Sequence, residues 1–127
     1  MSKILVVDDE EMIRRLLKKF LEDRGYDVCT AGTGKEALER IKDAPDIVLL
    51  DIMLPDMDGM EIFNRAKAII PSPRVILMSG MDRDSDYLTH LDSHVEFIAK
   101  PMNLRDLEQL LQTGVKRDDI LCCSRKL

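Results

Sequence analysis

No run of apolar residues in this 127-residue chain approaches the length a bilayer span requires. Nothing resembling a targeting segment precedes the first apolar run, which follows Met1-Ser2-Lys3 directly. Cysteine is sparse. Cys29, Cys122 and Cys123 are odd in number and have no ligand-like pairing, which predicts no disulfide framework and suits a reducing cytoplasm. Positive charge is outweighed, 19 Lys and Arg against 24 Asp and Glu, and the net charge of −5 disfavours direct nucleic-acid binding, which wants a basic face. Internal repeats and low-complexity stretches are missing. What remains, 45% hydrophobic and 34% charged, is the composition of one globular domain able to bury a core without staples.

Several ligand-binding loops are also absent. Gly32-Thr33-Gly34-Lys35 has the look of a phosphate loop, but Cys29 stands where its first glycine belongs and Glu36 where Ser or Thr belongs. Asp82-Arg83-Asp84-Ser85-Asp86 starts like a calcium loop, yet Tyr87 replaces the turn glycine and Ser93 the closing glutamate. His90 and His94 have helical spacing but read better as an exposed polar face than as a metal pair.

What the chain does have is a repeated construction. Ile47-Val48-Leu49-Leu50 is a short unbroken apolar run that ends in Asp51 and then in the loop Ile52-Met53-Leu54-Pro55-Asp56-Met57-Asp58-Gly59. Such a run reads as a strand buried on both faces of a parallel sheet. Ile4-Leu5-Val6-Val7 ends in Asp8-Asp9-Glu10, Val75-Ile76-Leu77-Met78 in Ser79-Gly80, and Val95-Glu96-Phe97-Ile98-Ala99 in Lys100-Pro101. Tyr26-Asp27-Val28-Cys29-Thr30 alternates more, as an edge strand does.

Helical patterns fill the gaps. Ile13, Leu16, Leu17, Phe20 and Leu21 form one apolar face, with Arg14, Arg15, Lys18 and Lys19 opposite and Gly25 as the stop. Thr33 and Glu36 make a capping box ahead of Ala37, Leu38 and Ile41, closed by Ala44-Pro45. Asp58-Gly59 opens a third helix with Ile62, Phe63, Ala66 and Ile69, ended by Pro71 and Pro73. A polar segment, 82–93, predicts a fourth, labile helix. Asn103 and Asp106 cap a fifth carrying Leu104, Leu107, Leu110 and Leu111.

Five strand–helix alternations imply a parallel sheet with helices on both faces, and one edge-like second strand favours the order 2-1-3-4-5. Strands 1 and 3 then adjoin, which forces Asp8, Asp9 and Asp51 together. Like charges about 4 Å apart repel by roughly 4 kcal/mol at an effective dielectric near 20, so a cation is expected among them. Oxygen-only ligands with room for water suit Mg²⁺. Lys100 and Ser79 are groups to aim at phosphoryl oxygens.

With those residues in place, the chain resembles the receiver domain of two-component response regulators, over roughly Lys3 to Leu111. The resemblance rests on Asp8-Asp9, on Asp51 with Leu54-Pro55-Asp56-Met57-Asp58-Gly59, on Ser79-Gly80 and on Lys100-Pro101. It implies a flavodoxin-like doubly wound (βα)5 fold. It implies a phosphorylation switch in which Asp51 accepts a phosphoryl group from a sensor histidine kinase or phosphotransfer protein. Asp9 is expected to bind Mg²⁺ directly, Asp8 through water, and Asp51 and the Met53 backbone carbonyl to complete the protein ligands. Lys100 and Ser79 are expected to contact the phosphoryl group, Phe97 to occupy the aromatic switch position, and the Lys100-Pro101 bond to be cis. The output face would be the fourth predicted helix, the fifth strand and the fifth helix (helix 4/strand 5/helix 5), meeting an unidentified downstream protein. A homodimer stays open.

The expected boundaries are a receiver domain over 1–114 and a short tail or linker stub over 115–127. A receiver segment of a larger response regulator or hybrid kinase is the alternative. A flavodoxin-like FMN electron carrier shares the topology, but Asp8-Asp9-Glu10 would repel the FMN phosphate. A phosphatase with an aspartyl intermediate would need a proton donor where Met53 stands. Met53 and Met81, two residues after Asp51 and Ser79, are poor partners for a hydrolytic water and predict a long-lived phosphorylated state.

Overall fold

The computed structural model describes residues 2–69, 72–79, 96–99 and 103–113. Strands β1 (Lys3–Val7), β2 (Asp27–Ala31), β3 (Ile47–Asp51), β4 (Arg74–Ser79) and β5 (Glu96–Ala99) are joined by α1 (Glu11–Glu22), α2 (Gly34–Ile41) and α3 (Gly59–Lys67), and α4 (Leu104–Thr113) follows β5. All four strand pairings are parallel and the order is β2-β1-β3-β4-β5, as the patterns predict.

The two-residue period of the pleat sorts the core into two layers. Leu5, Val7, Val48, Leu50, Val75 and Leu77 face Ala37 and Ile41 of α2 and Ile62 and Ala66 of α3. The alternate residues Ile4, Val6, Ile47, Leu49, Ile76 and Met78 face Leu17 and Leu21 of α1 and Leu107 and Leu111 of α4. Strands apolar at every position are what a sheet covered on both sides requires.

Local chemistry sets the ends. The N–H of Glu36 donates to Thr33 Oγ1 at 3.1 Å, while Glu36 Oε1 accepts from the N–H of Gly32 at 2.8 Å, one residue further out than the expected capping box. Asp58 caps α3 through the N–H of Met60, and Asn103 caps α4 through that of Arg105. After α1, Gly25 takes φ 92°, a conformation that costs glycine little, and the N–H of Tyr26 closes on the Leu21 carbonyl. Helix α2 stops at Ile41, before Ala44-Pro45, and β2 runs one residue later than its pattern suggests.

The apolar stripe of α1 is narrower than the sequence implies. Leu17 and Leu21 are buried, but Leu16 is 50% exposed. At about 100° per residue, Leu16 falls at one edge of the stripe and Arg14 at the other. Arg14 is accordingly half-buried rather than on the outer face. The predicted fourth helix over 82–93 with His90, the flanking Met81 and His94, and the tail with Cys122 and Cys123 lie outside the described residues. No helix among the described residues is long and apolar enough to cross a membrane.

Candidate functional site

Sheet register builds the site. Val7 pairs with Leu50, so Asp8 and Asp51 come next on adjacent strands. The ladder continues one step past β1, since the N–H of Asp8 donates to the Ala31 carbonyl at 3.1 Å. The pleat decides the rest. Ile4 and Val6 in β1, and Ile47 and Leu49 in β3, all belong to the layer under α1, so the next members of those alternations, Asp8 and Asp51, fall on that same face. Asp9 follows at the rim.

Carboxylate oxygens of Asp8, Asp9 and Asp51 lie within 4.8 Å of one another. Asp8 is fully buried, Asp51 is 5% exposed, and Asp9 is open to solvent. The N–H of Glu10 donates to Asp8 Oδ1 and that of Met53 to Asp51 Oδ1, both at 2.9 Å. Two buried carboxylates at 4.8 Å or less repel by roughly 3 kcal/mol or more at an effective dielectric of about 20. Three hard oxygen donors, one of them opening to water, fit a small divalent cation that keeps part of its hydration shell. The trio could therefore hold a metal ion.

The loop from β3 to α3 is pinned underneath and at its tip. Gly59 lies directly beneath: a Cβ there would sit 2.6 Å from Ile52 Cα and 2.9 Å from the Asp51 carbonyl oxygen. Met53 and Asp58 pair as an isolated antiparallel bridge, which closes the neck of the loop. Asp56, at the tip, reaches helix α2, where its two carboxylate oxygens accept from the N–H groups of Gly34 at 2.8 Å and Lys35 at 3.0 Å. Those bonds, the one to Gly34 foremost, lower the Asp56 pKa from its ordinary 3.8. Arg14 braces the other side, its Nη1 donating to the Asp8 carbonyl at 2.7 Å. Gly32 leaves the room for this, because a Cβ there would meet Arg14 Nη1 at 2.9 Å.

The sequence-predicted residues are thus only partly displayed. Asp8, Asp9 and Asp51 are brought together, with Met53 beside Asp51. Ser79 ends β4 one level beyond the Asp51–Met78 pair, opposite Ala99. The side chains of Ser79 and Phe97, together with Lys100 and the Lys100-Pro101 bond, lie outside the described residues. Arg14 and Asp56 are supporting residues that the sequence patterns do not reveal. Arg14 looks like one more cation on a polar helix face, and Asp56 acts on a helix 22 residues away.

The family model for the response regulator receiver domain matches residues 4–112. Over 99% of its length the chain is 35% identical to the alkaline phosphatase synthesis transcriptional regulatory protein PhoP of Bacillus subtilis, and over 93% it is 36% identical to the transcriptional regulatory protein KdpE of Mycobacterium tuberculosis. It spans about half of each of those relatives, 53% in both cases. A solved response regulator receiver domain protein from Clostridium thermocellum superimposes with a TM-score of 0.81 at 30% identity, over 95% of this chain and 99% of that one. Matched almost end to end in sequence and in fold, the chain belongs to the response regulator receiver domain family, phosphoryl-accepting signalling modules of two-component systems.

Proposed function

We propose that Asp51 is the phosphoacceptor and that Asp8, Asp9 and the Met53 carbonyl hold Mg²⁺ beside it. The convergence of three carboxylates within 4.8 Å at the carboxyl end of the sheet carries this reading. A bound Mg²⁺ would screen the charge of the incoming phosphoryl group. The Met53 N–H, fixed on Asp51 Oδ1, orients the carboxylate for in-line attack. Attack on the phosphorus of a phosphohistidine forms the acyl phosphate O–P bond. The P–N bond breaks and its electron pair returns to the imidazole. Lys100 and Ser79 are the groups of this chain that would meet the phosphoryl oxygens, and Phe97 the aromatic that would follow them.

A sensor histidine kinase or phosphotransfer protein in the cytoplasm is the donor on this reading. The output face combines the segment 82–93, β5 and α4. Within it, the Arg74 guanidinium grips both carboxylate oxygens of Glu96 at 2.6 and 2.8 Å and donates to the Leu110 carbonyl at 2.8 Å, which ties β4, β5 and α4 into one unit. Because the transcriptional regulators it resembles are about twice its length, action as the receiver segment of a larger regulator is compatible with the same chemistry.

The test is mass spectrometry after treatment with a small phosphodonor. One phosphoryl group is expected in the native protein with Mg²⁺, and none with chelator or in Asp51→Asn. Undiminished labelling of Asp51→Asn would reject the assignment.

A further inference from the structure

The β3–α3 loop has an unusual burden if it presents a metal ligand, because Ile52, Leu54 and Met57 pack against the core while Met53 itself is 59% exposed. An open groove of about 390 Å³ runs along residues 52–58, and Met53, Pro55, Asp56 and Asp58 are exposed. Its geometry is held by three tethers. Gly59 lies against the Ile52 backbone and donates its N–H to the Ile52 carbonyl at 3.3 Å, the Met53–Asp58 bridge closes the neck, and the tip is fastened to α2. The first two act close to Met53. The third acts at a distance, through a two-pronged bond from one side chain to two backbone N–H groups, and Met57 packs beside it over Gly34 with its Sδ 2.7 Å from where a Cβ would stand.

Resting on the metal site proposed above, we infer that Asp56 is a positioning residue: its clamp on Gly34 and Lys35 sets the place at which the loop holds the Met53 carbonyl and the Met53 N–H that orients Asp51. Both oxygens of the carboxylate are taken up by α2 amides, so its role is not that of a ligand. It acts through the backbone, as the outer partners of metal ligands do. Loss of such a partner typically weakens metal binding by about tenfold or more. The residue is exposed, so its removal is expected to change the site far more than the fold.

The experiment is a calorimetric Mg²⁺ titration of the full chain, native and as Asp56→Ala, Asp56→Asn and Asp9→Ala, at low and moderate salt. Amide NMR shifts of Gly34 and Lys35 serve as the spectroscopic signature of the clamp. Asp56→Ala should move both amides and raise the Mg²⁺ Kd about tenfold, with melting temperature in chelator nearly unchanged. Asp56→Asn keeps one acceptor oxygen and should restore part of the affinity. A native-like Kd in Asp56→Ala, with Asp9→Ala defective, overturns this inference and leaves the metal site standing. Equal losses in Asp56→Ala and Asp56→Asn that shrink with salt would also overturn it, because a distant charge would then be the cause. Native protein that takes up no Mg²⁺, or Asp9→Ala that binds as well as native, refutes the metal site itself and this inference with it.

Discussion

Replacing Gly59 by alanine tests how closely the fold and the site are joined. The added Cβ would lie 2.6 Å from Ile52 Cα, 2.9 Å from the Asp51 carbonyl oxygen and 3.0 Å from that of Ile52. All three are backbone atoms, so no side chain can swing aside and either α3 or the end of β3 must move. Overpacking of this kind costs about 1–3 kcal/mol. At about 2 kcal/mol, and roughly 4 °C per kcal/mol for a domain of this size, the melting temperature should fall by about 8 °C. The displacement falls on the peptide that carries Asp51, so Mg²⁺ affinity should fall with it. Gly32→Ala is the control for stability alone: its Cβ meets the end of the Arg14 side chain, which can swing aside at well under about 1 kcal/mol although it then loosens its brace on Asp8. Thermal denaturation with and without Mg²⁺ reads both effects. A Gly59→Ala protein that melts within about 1 °C of native and binds Mg²⁺ normally would refute the reasoning.

Arg74→Ala removes a two-pronged ion pair whose side chains are only 17% and 19% exposed, together with a donor to Leu110, and strands the Glu96 carboxylate. Urea midpoints should show a loss of about 2–3 kcal/mol, with Glu96→Ala in the same range; a loss below about 1 kcal/mol would place this pair among ordinary surface bridges. The pKa of Asp56 is lowered in the fold, so its clamp contributes fully above the ordinary carboxylate value of 3.8 and is lost as pH falls through the lower folded value. The stability gap between native protein and Asp56→Asn should therefore be constant near neutrality and close in acid; a gap that widens on acidification would contradict the clamp. Met53, two residues after Asp51 and 59% exposed, offers a hydrolytic water no strong hydrogen-bond partner. Met53→Asn should shorten the life of the acyl phosphate by about tenfold, read as first-order decay after donor removal, and unchanged decay would show that this side chain does not set it.

The sheet was legible because its strands carry a signal that needs no partner to interpret. Ile4 to Val7 and Ile47 to Leu50 are apolar at every position, and only a doubly covered parallel sheet buries both faces of such runs. The acidic trio was legible because topology places the ends of strands 1 and 3 side by side. The supports were not, for a physical reason. Arg14 and Asp56 act on backbone groups, the Asp8 carbonyl six residues back and the α2 amides 22 residues away, which side chains of almost any type leave available. Gly59 likewise reads as a helix start beside Asp58, and only coordinates reveal that its missing Cβ admits the Ile52 backbone. Leu16 shows the limit of periodicity: the spacing defines a stripe, but where its edge meets water depends on how α1 is rotated against β1 and β2.

These supports follow from the charge problem at the rim. Three carboxylates within 4.8 Å repel one another, so they cannot hold their own arrangement in place before a cation arrives. Something else must hold it. The two apolar layers fix the strand ends, since Asp8 and Asp51 continue alternations anchored by Val6 and Leu49. Beyond the strand ends Ile52, Leu54 and Met57 pack on the core, and the Glu10 and Met53 N–H groups hold Oδ1 of Asp8 and Asp51. The remaining tethers leave the oxygens of the cluster alone: Arg14 on a carbonyl, Asp56 on amides, and the Gly59 N–H on the Ile52 carbonyl. A tether of that kind spends no metal-ligating group and adds no anion to the cluster. The arrangement is thus held open against its own repulsion, and a cation that enters gains that repulsion as binding energy without waiting for the loops to fold around it.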